Sequence, residues 1–177
     1  MKKVLIPLLA ILVMAGLLLG LTFGLNGIAQ ANAQAEHLKI MQTLLPGSKE
    51  FSREVYSGDD ANIHSVHKAE NGYVIETVTA GYAGDIRMLI GVSNEGTVTG
   101  LVVREMSETA GLGMNALNDH QFLSQFLNTS GDAEVGTNVD AITGATVTSK
   151  AITRSVNSAV AYVTGADIDS GATSWGG

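Results

Sequence analysis

The chain has 177 residues, with 10 basic and 17 acidic side chains, a formal charge of −7 and no cysteine. The acidic balance argues against nucleic acid and anionic lipid surfaces as partners. The missing cysteines exclude disulfides, iron–sulfur clusters held by thiolates and cysteine-type zinc sites.

From the N-terminus, Val4 to Leu25 is a run of 22 uncharged residues. As a helix it spans roughly 33 Å, enough for a hydrocarbon core of about 30 Å. Ala31-Asn32-Ala33 has the small-residue character of a signal cleavage site, but the apolar region of a signal peptide is only about 7–15 residues long. The run is therefore expected to be retained as an N-terminal transmembrane anchor, residues 1–28. Lys2 and Lys3 precede it and no acidic residue does, which keeps the N-terminus cytoplasmic by the positive-inside rule. The remaining 8 basic and 17 acidic residues, a net of −9, then belong to an extracytoplasmic part. The expected location is single-pass in the inner or plasma membrane. Gly16, Gly20 and Gly24 are spaced by four, as suits close helix packing in a membrane.

Residues 29–47 read as a juxtamembrane helix, with Leu38, Met41, Leu44 and Leu45 at helical spacing and a stop at Pro46-Gly47. His64-x-x-His67 would share a helix face, but no partner is placed for a metal, and no metal site is expected; His37 and His120 read as surface residues. Tyr73 to Thr79, Ile86 to Val92 and Thr97 to Arg104 are rich in Val, Ile and Thr and are separated by glycine-containing turns. They predict antiparallel strands. A helix is predicted over Asn118 to Leu127, carrying Phe122, Leu123 and Phe126. A second runs from about Thr148 to Val163, with Ile152, Val156, Ala159, Val160 and Val163 on one side. The order predicts an α+β fold: a small antiparallel sheet with packed helices, preceded by one N-terminal transmembrane helix. The domain is expected over residues 48–165, with a flexible tail at 166–177.

Asp140-Ala-Ile-Thr-Gly-Ala-Thr146 enters the last helix through Val147-Thr148-Ser149-Lys150. Gly144 and Ala145 clear space around a hydroxyl and permit a tight turn. A helix N-terminus favours an anion, because its first N–H groups lack intrahelical partners. Lys150 and Arg154 follow Thr146 by four and eight residues, on one face. A threonine-rich N-cap leading into an ordinary helix would read the same way.

The seven-residue stretch resembles the flavinylation motif of the FMN-binding subunits of Rnf and sodium-pumping NADH:quinone oxidoreductase complexes: Asp, two variable residues, Ser or Thr, Gly, Ala, Thr. By that resemblance Thr146 carries one covalent FMN through a phosphoester bond. Asp140, Thr143, Gly144, Ala145, Val147, Thr148 and Lys150 would form its surroundings. Asp167-Ile-Asp-Ser-Gly-Ala-Thr173 also satisfies the literal pattern, but only Ser174-Trp175-Gly176-Gly177 follows it, so Thr146 is the expected site. Gly81-Tyr82-Ala-Gly84 with the strand after it resembles the family's Gly-Tyr-x-Gly turn. Ser107-Glu108-Thr109-Ala110-Gly111-Leu112-Gly113 resembles its Glu-Thr-Pro-Gly-Leu-Gly loop, with Ala110 where the family has proline. The similarity covers Gly72 to Val163, and the length and single anchor fit the RnfG type better than the longer NqrC type of the quinone reductase. Glu108, Thr109 and Leu112 would then border the isoalloxazine ring.

No dinucleotide fingerprint, Walker loop or nucleophile elbow is present. The resemblance implies a redox subunit of an ion-translocating oxidoreductase, with no complete catalytic site of its own. It would relay electrons in a complex coupling ferredoxin/NAD chemistry to Na⁺ or H⁺ movement. Its partners would be the other membrane and redox subunits, with a flavin transferase for maturation. The alternatives are a stand-alone anchored flavoprotein serving an extracytoplasmic acceptor, and an assembly module without a working flavin.

Overall fold

The computed structural model describes residues 29–106 and 119–166, together with Met14, Gly16, Gly20 and Gly27. The chain divides into Met1–Ile40 and Met41–Gly177. In the first unit residues 29–40 are helical. Among the described residues no helix is long and apolar enough to cross a membrane. The anchor expected over Val4 to Leu25 falls outside the described residues except for Met14, Gly16 and Gly20.

The second unit opens with the helical turn 41–44, and Gly47 (φ 91°) ends the connection that follows. Five strands come next: β1 Ser52–Glu54, β2 Ile63–Ala69, β3 Gly72–Ala80, β4 Asp85–Ser93 and β5 Val98–Met106. They form one antiparallel meander in sequence order. A short helix, α1 (His120–Ser124), and a long one, α2 (Thr146–Thr164), complete the unit. The α+β architecture is as the sequence predicts, and the three predicted strands are β3, β4 and β5.

Two strands were not anticipated. β1 has three residues and no apolar alternation, so it carries no signal of its own. β2 was hidden by its histidines: His64 and His67 lie on a strand, and the shared helix face expected for them does not exist. The pairing with β3 slips between Ile63 and Ser65, leaving His64 as a bulge that breaks the period-two pattern. The helix expected over Asn118 to Leu127 is also shorter. After Ser124 the backbone tightens to i→i−3 bonds (Phe126 N to Leu123 O, Leu127 N to Ser124 O) before Asn128 turns at φ 64°. Phe122 and Phe126 are buried, in an edge-to-face pair with centroids 5.3 Å apart.

α2 covers one face of the sheet. Ile86, Met88, Ile90 and Val92 of β4 form the core with Ile152, Val156, Ala159 and Val160 of α2. Much of the buried helix surface is small (Ser149, Ala151, Ser155, Ser158, Ala159), which brings the helix axis close to the strands. Two hydrogen bonds set its height on the sheet. Thr79 Oγ1 and Ser155 Oγ are 2.6 Å apart in the interior, and Asn62 Nδ2 donates to Ser158 Oγ at 3.2 Å.

The opposite face receives residues 41–45. Gly91 and Gly100 are paired across β4 and β5, and a Cβ on Gly91 would lie 2.3 Å from the Leu44 carbonyl oxygen. That oxygen accepts the Thr99 hydroxyl at 2.6 Å. Beyond this seat the same face carries a polar row: Ser65 and Arg87 both donate to Glu76, at 2.8 and 2.9 Å, and Arg87 also pairs with Glu105 at 3.3 Å.

Candidate functional site

The start of α2 is built by side chains buried beneath it. Ala145 N donates to Ile142 O at 2.9 Å, closing a turn whose third residue, Gly144, has φ 79°. Such a turn asks for glycine at that position. The Ser149 hydroxyl, fully buried, accepts the Ile142 amide at 3.1 Å and donates to the Ala145 carbonyl at 2.9 Å. One side chain thus ties the turn to the first turn of the helix. Upstream, the Gln125 amide brackets the backbone of Asp140: its Oε1 accepts Asp140 N at 2.8 Å and its Nε2 donates to Asp140 O at 3.3 Å.

The result sorts the hydroxyls of the motif. Thr148 and Ser149 point inward and are buried. Thr143 and Thr146 are exposed, and only Thr146 occupies the first position of α2. The helix N-cap, Ala145, offers no side-chain hydrogen bond, and the first turn holds no acidic residue. The leading N–H groups of a 19-residue helix are therefore left for an outside acceptor. Lys150 is exposed one turn on, Val147 is half-buried and Asp140 is exposed. These residues fit a phosphate group: an accessible hydroxyl, uncapped amides, a nearby ammonium and no competing carboxylate in the turn.

The place of this terminus in the fold follows from the α2–β3 register. Thr79 touches Ser155, and Arg154 Nη2 donates to Ala80 O at 3.3 Å. Thr146 lies nine residues before Ser155, about 13 Å along the helix axis. It therefore stands at the sheet end carrying the β3–β4 turn, where Tyr82 is exposed. β5 also ends here, since Met106 pairs with Ile86. The other end of α2 meets the β4–β5 turn, where Thr164 Cγ2 lies against Gly96. The motif and the Gly-Tyr-x-Gly turn, about 60 residues apart in sequence, thus share one edge of the fold.

Glu108, Thr109 and Leu112 lie outside the described residues, as does the second motif ending at Thr173. Sequence reasoning missed Ser149 and Gln125, which hold the motif without belonging to it. The signal for Ser149 was a hydroxyl one helical turn after Ala145; Gln125 left none. Among the described residues no group of three or more His, Asp or Glu side chains could hold a metal ion.

Residues 81–161 match the family model of the FMN-binding domain. The chain is 35% identical to the G subunit of the ion-translocating oxidoreductase complex of Methanosarcina acetivorans, over 91% of this chain and 93% of that protein. It is 38% identical, over 50% of this chain and 47% of the relative, to the G subunit of the Na⁺-translocating ferredoxin:NAD⁺ oxidoreductase complex of Acetobacterium woodii. For the G subunit of the proton-translocating ferredoxin:NAD⁺ oxidoreductase complex of Clostridium ljungdahlii the identity is 39%, over 52% of this chain and 53% of the relative. The motif at the start of α2, the turn at the same end of the sheet and a match along nearly the whole chain agree, and the chain belongs to the RnfG family of ion-translocating oxidoreductase complexes.

Proposed function

We propose that this chain is an electron-relay component of a membrane Rnf-type complex, carrying one FMN joined to Thr146 through a phosphoester bond. The observation that carries the reading is Thr146 itself: an exposed hydroxyl at the first position of a long helix whose N-terminus has no side-chain cap. When bound, the flavin supplies the redox chemistry, while the protein sets its position and potential. The uncapped amides and Lys150 hold the phosphate, and Ser149 and Gln125 keep the loop in the shape that presents the hydroxyl. Glu108, Thr109 and Leu112 border the ring. Asp140, Thr143, Gly144, Ala145, Val147 and Thr148 shape the attachment loop.

The relatives from Acetobacterium and Clostridium carry names that couple ferredoxin and NAD⁺ to Na⁺ or proton movement. The same coupling is proposed for the complex that contains this chain, with other membrane and redox subunits as partners and a flavin transferase for maturation. The proposed topology is a single N-terminal span over Val4 to Leu25, with the N-terminus cytoplasmic and the FMN-binding domain outside. A covalent bond suits that location, because a dissociated cofactor could not be replaced from the cytoplasm.

The test is intact-mass measurement and in-gel fluorescence of the denatured chain, followed by peptide mapping. A gain of one FMN less one water on the peptide containing Thr146, abolished in Thr146→Ala, is the expected result. An unmodified chain from its native host, or a fully flavinylated Thr146→Ala chain, overturns the assignment. Copurification with multi-span subunits separates membership of a complex from a stand-alone flavoprotein.

A further inference from the structure

α1 gives way to a turn whose residues the fold accounts for unevenly. Asn128 stands at φ 64°, a left-handed conformation that asparagine tolerates better than most side chains. Its backbone N–H donates to Val98 O at 2.9 Å, and Val98 N donates to Thr129 O at 3.0 Å, which docks the turn on the start of β5. The Thr129 hydroxyl donates to Phe126 O at 2.7 Å. Two groups have no such task. Asn128 and Ser130 are exposed, and neither the Asn128 carboxamide nor the Ser130 hydroxyl makes a hydrogen bond to any described residue.

Those two groups are the pair that an Asn-x-Ser/Thr acceptor for N-linked sugar requires, with any middle residue but proline. Asn128-Thr129-Ser130 is the one such triplet in the chain. A left-handed turn explains an asparagine at 128, but it does not call for a hydroxyl two residues on. An acceptor must also lie on the surface and outside the cytoplasm. The turn is on the surface, and the proposed topology puts the domain outside. The location leaves the attachment motif clear. The turn joins β5 at Val98, beside the β4–β5 turn where Thr164 of α2 lies against Gly96. Thr146 begins the same helix at its other end, about 27 Å away along the axis.

We propose that Asn128 is a glycosylation site: its Nδ2 bonds to C1 of the first sugar of a glycan delivered on a lipid-linked phosphate donor. The C1–O bond to the phosphate breaks and the lipid phosphate leaves with the electron pair. Nδ2 gives up one proton to a base of the glycosyltransferase. The inference rests on the proposed extracytoplasmic placement of the domain and not on the flavin.

The experiment uses the full chain purified from membranes of its native host. Cleavage at acidic residues separates Asn128 from Thr146 at Asp132 and Glu134, and the peptide containing Asn128 is weighed by mass spectrometry. A gain of whole sugar residues is expected in the wild type and in Ser130→Thr, and its loss in Ser130→Ala. The turn survives both substitutions, since the Ser130 side chain makes none of its bonds. Placement is read separately from Val55→Cys, at a position 94% exposed in a chain with no other cysteine. The probe is a membrane-impermeant maleimide on sealed right-side-out vesicles. Labelling of sealed vesicles with an unmodified Asn128 overturns the glycan and leaves the placement standing. Labelling only after the vesicles are opened overturns the placement and this inference together. A glycan that persists on the peptide in Ser130→Ala overturns the acceptor triplet.

Discussion

The Ser149 hydroxyl accepts the Ile142 amide at 3.1 Å, across seven residues, while donating to Ala145 at the helix start. Ser149 is therefore the joint between the turn at Ile142–Ala145 and α2. In Ser149→Ala the Ile142 N–H loses its buried partner, at a cost of about 1–3 kcal/mol. The expected outcome is a lower denaturation midpoint together with a reduced fraction of covalent flavin. Stability lost with flavinylation at the wild-type level would show that the joint is structural only.

Gly144 turns at φ 79°, a left-handed conformation that costs other residues about 1–2 kcal/mol. Gly144→Ala is expected to lose that much stability and to reorient Thr143 against Thr146. Gly144→Asn should be milder, because asparagine tolerates this region. Urea denaturation of the three proteins checks the ranking Gly, Asn, Ala.

The pairing of Gly91 with Gly100 leaves room for the Leu44 carbonyl, which a Cβ on Gly91 would approach to 2.3 Å. Gly91→Ala should therefore push residues 41–45 off the sheet, losing the Thr99 hydrogen bond. Overpacking of this kind costs about 1–3 kcal/mol. Hydrogen exchange should show the amides of residues 41–48 losing protection while those of α2 keep theirs. Equal loss in both would mean that the seat and the core are one cooperative unit.

Glu76 supplies a pH dependence. Burial pushes its carboxyl upward, but the hydrogen bonds from Arg87 and Ser65, with the charges of His64 and Arg87, outweigh this and hold it below the ordinary value of 4.5. A depressed carboxyl stabilises the fold above its unfolded value, and this is lost as pH falls through the folded one. The wild type should thus lose stability relative to Glu76→Gln as pH drops below about 4.5. Parallel stability curves for the two proteins from pH 6 to pH 3 would refute it.

Much of this was legible in the residues. The alternating and apolar runs of Val, Ile and Thr in 73–104 gave three strands to within about two residues, because these residue types favour strands and glycine-containing turns separate them. β2 escaped because the His64 bulge places two neighbours against one partner and breaks the alternation. α1 was overextended because Phe122, Leu123 and Phe126 keep helical spacing even where the backbone has passed to tighter turns.

The sequence by itself determined the family, the seven-residue motif and the helix that receives it, since these are set by residue identity and local spacing. It also placed four hydroxyls, Thr143, Thr146, Thr148 and Ser149, within seven residues. Only the tertiary structure decided among them. Packing α2 on the sheet buries Thr148 and Ser149 and turns Thr146 outward at the helix start. That choice depends on Thr79 meeting Ser155 and on Gln125 bracketing Asp140. Such contacts join residues far apart along the chain, so no local pattern records them.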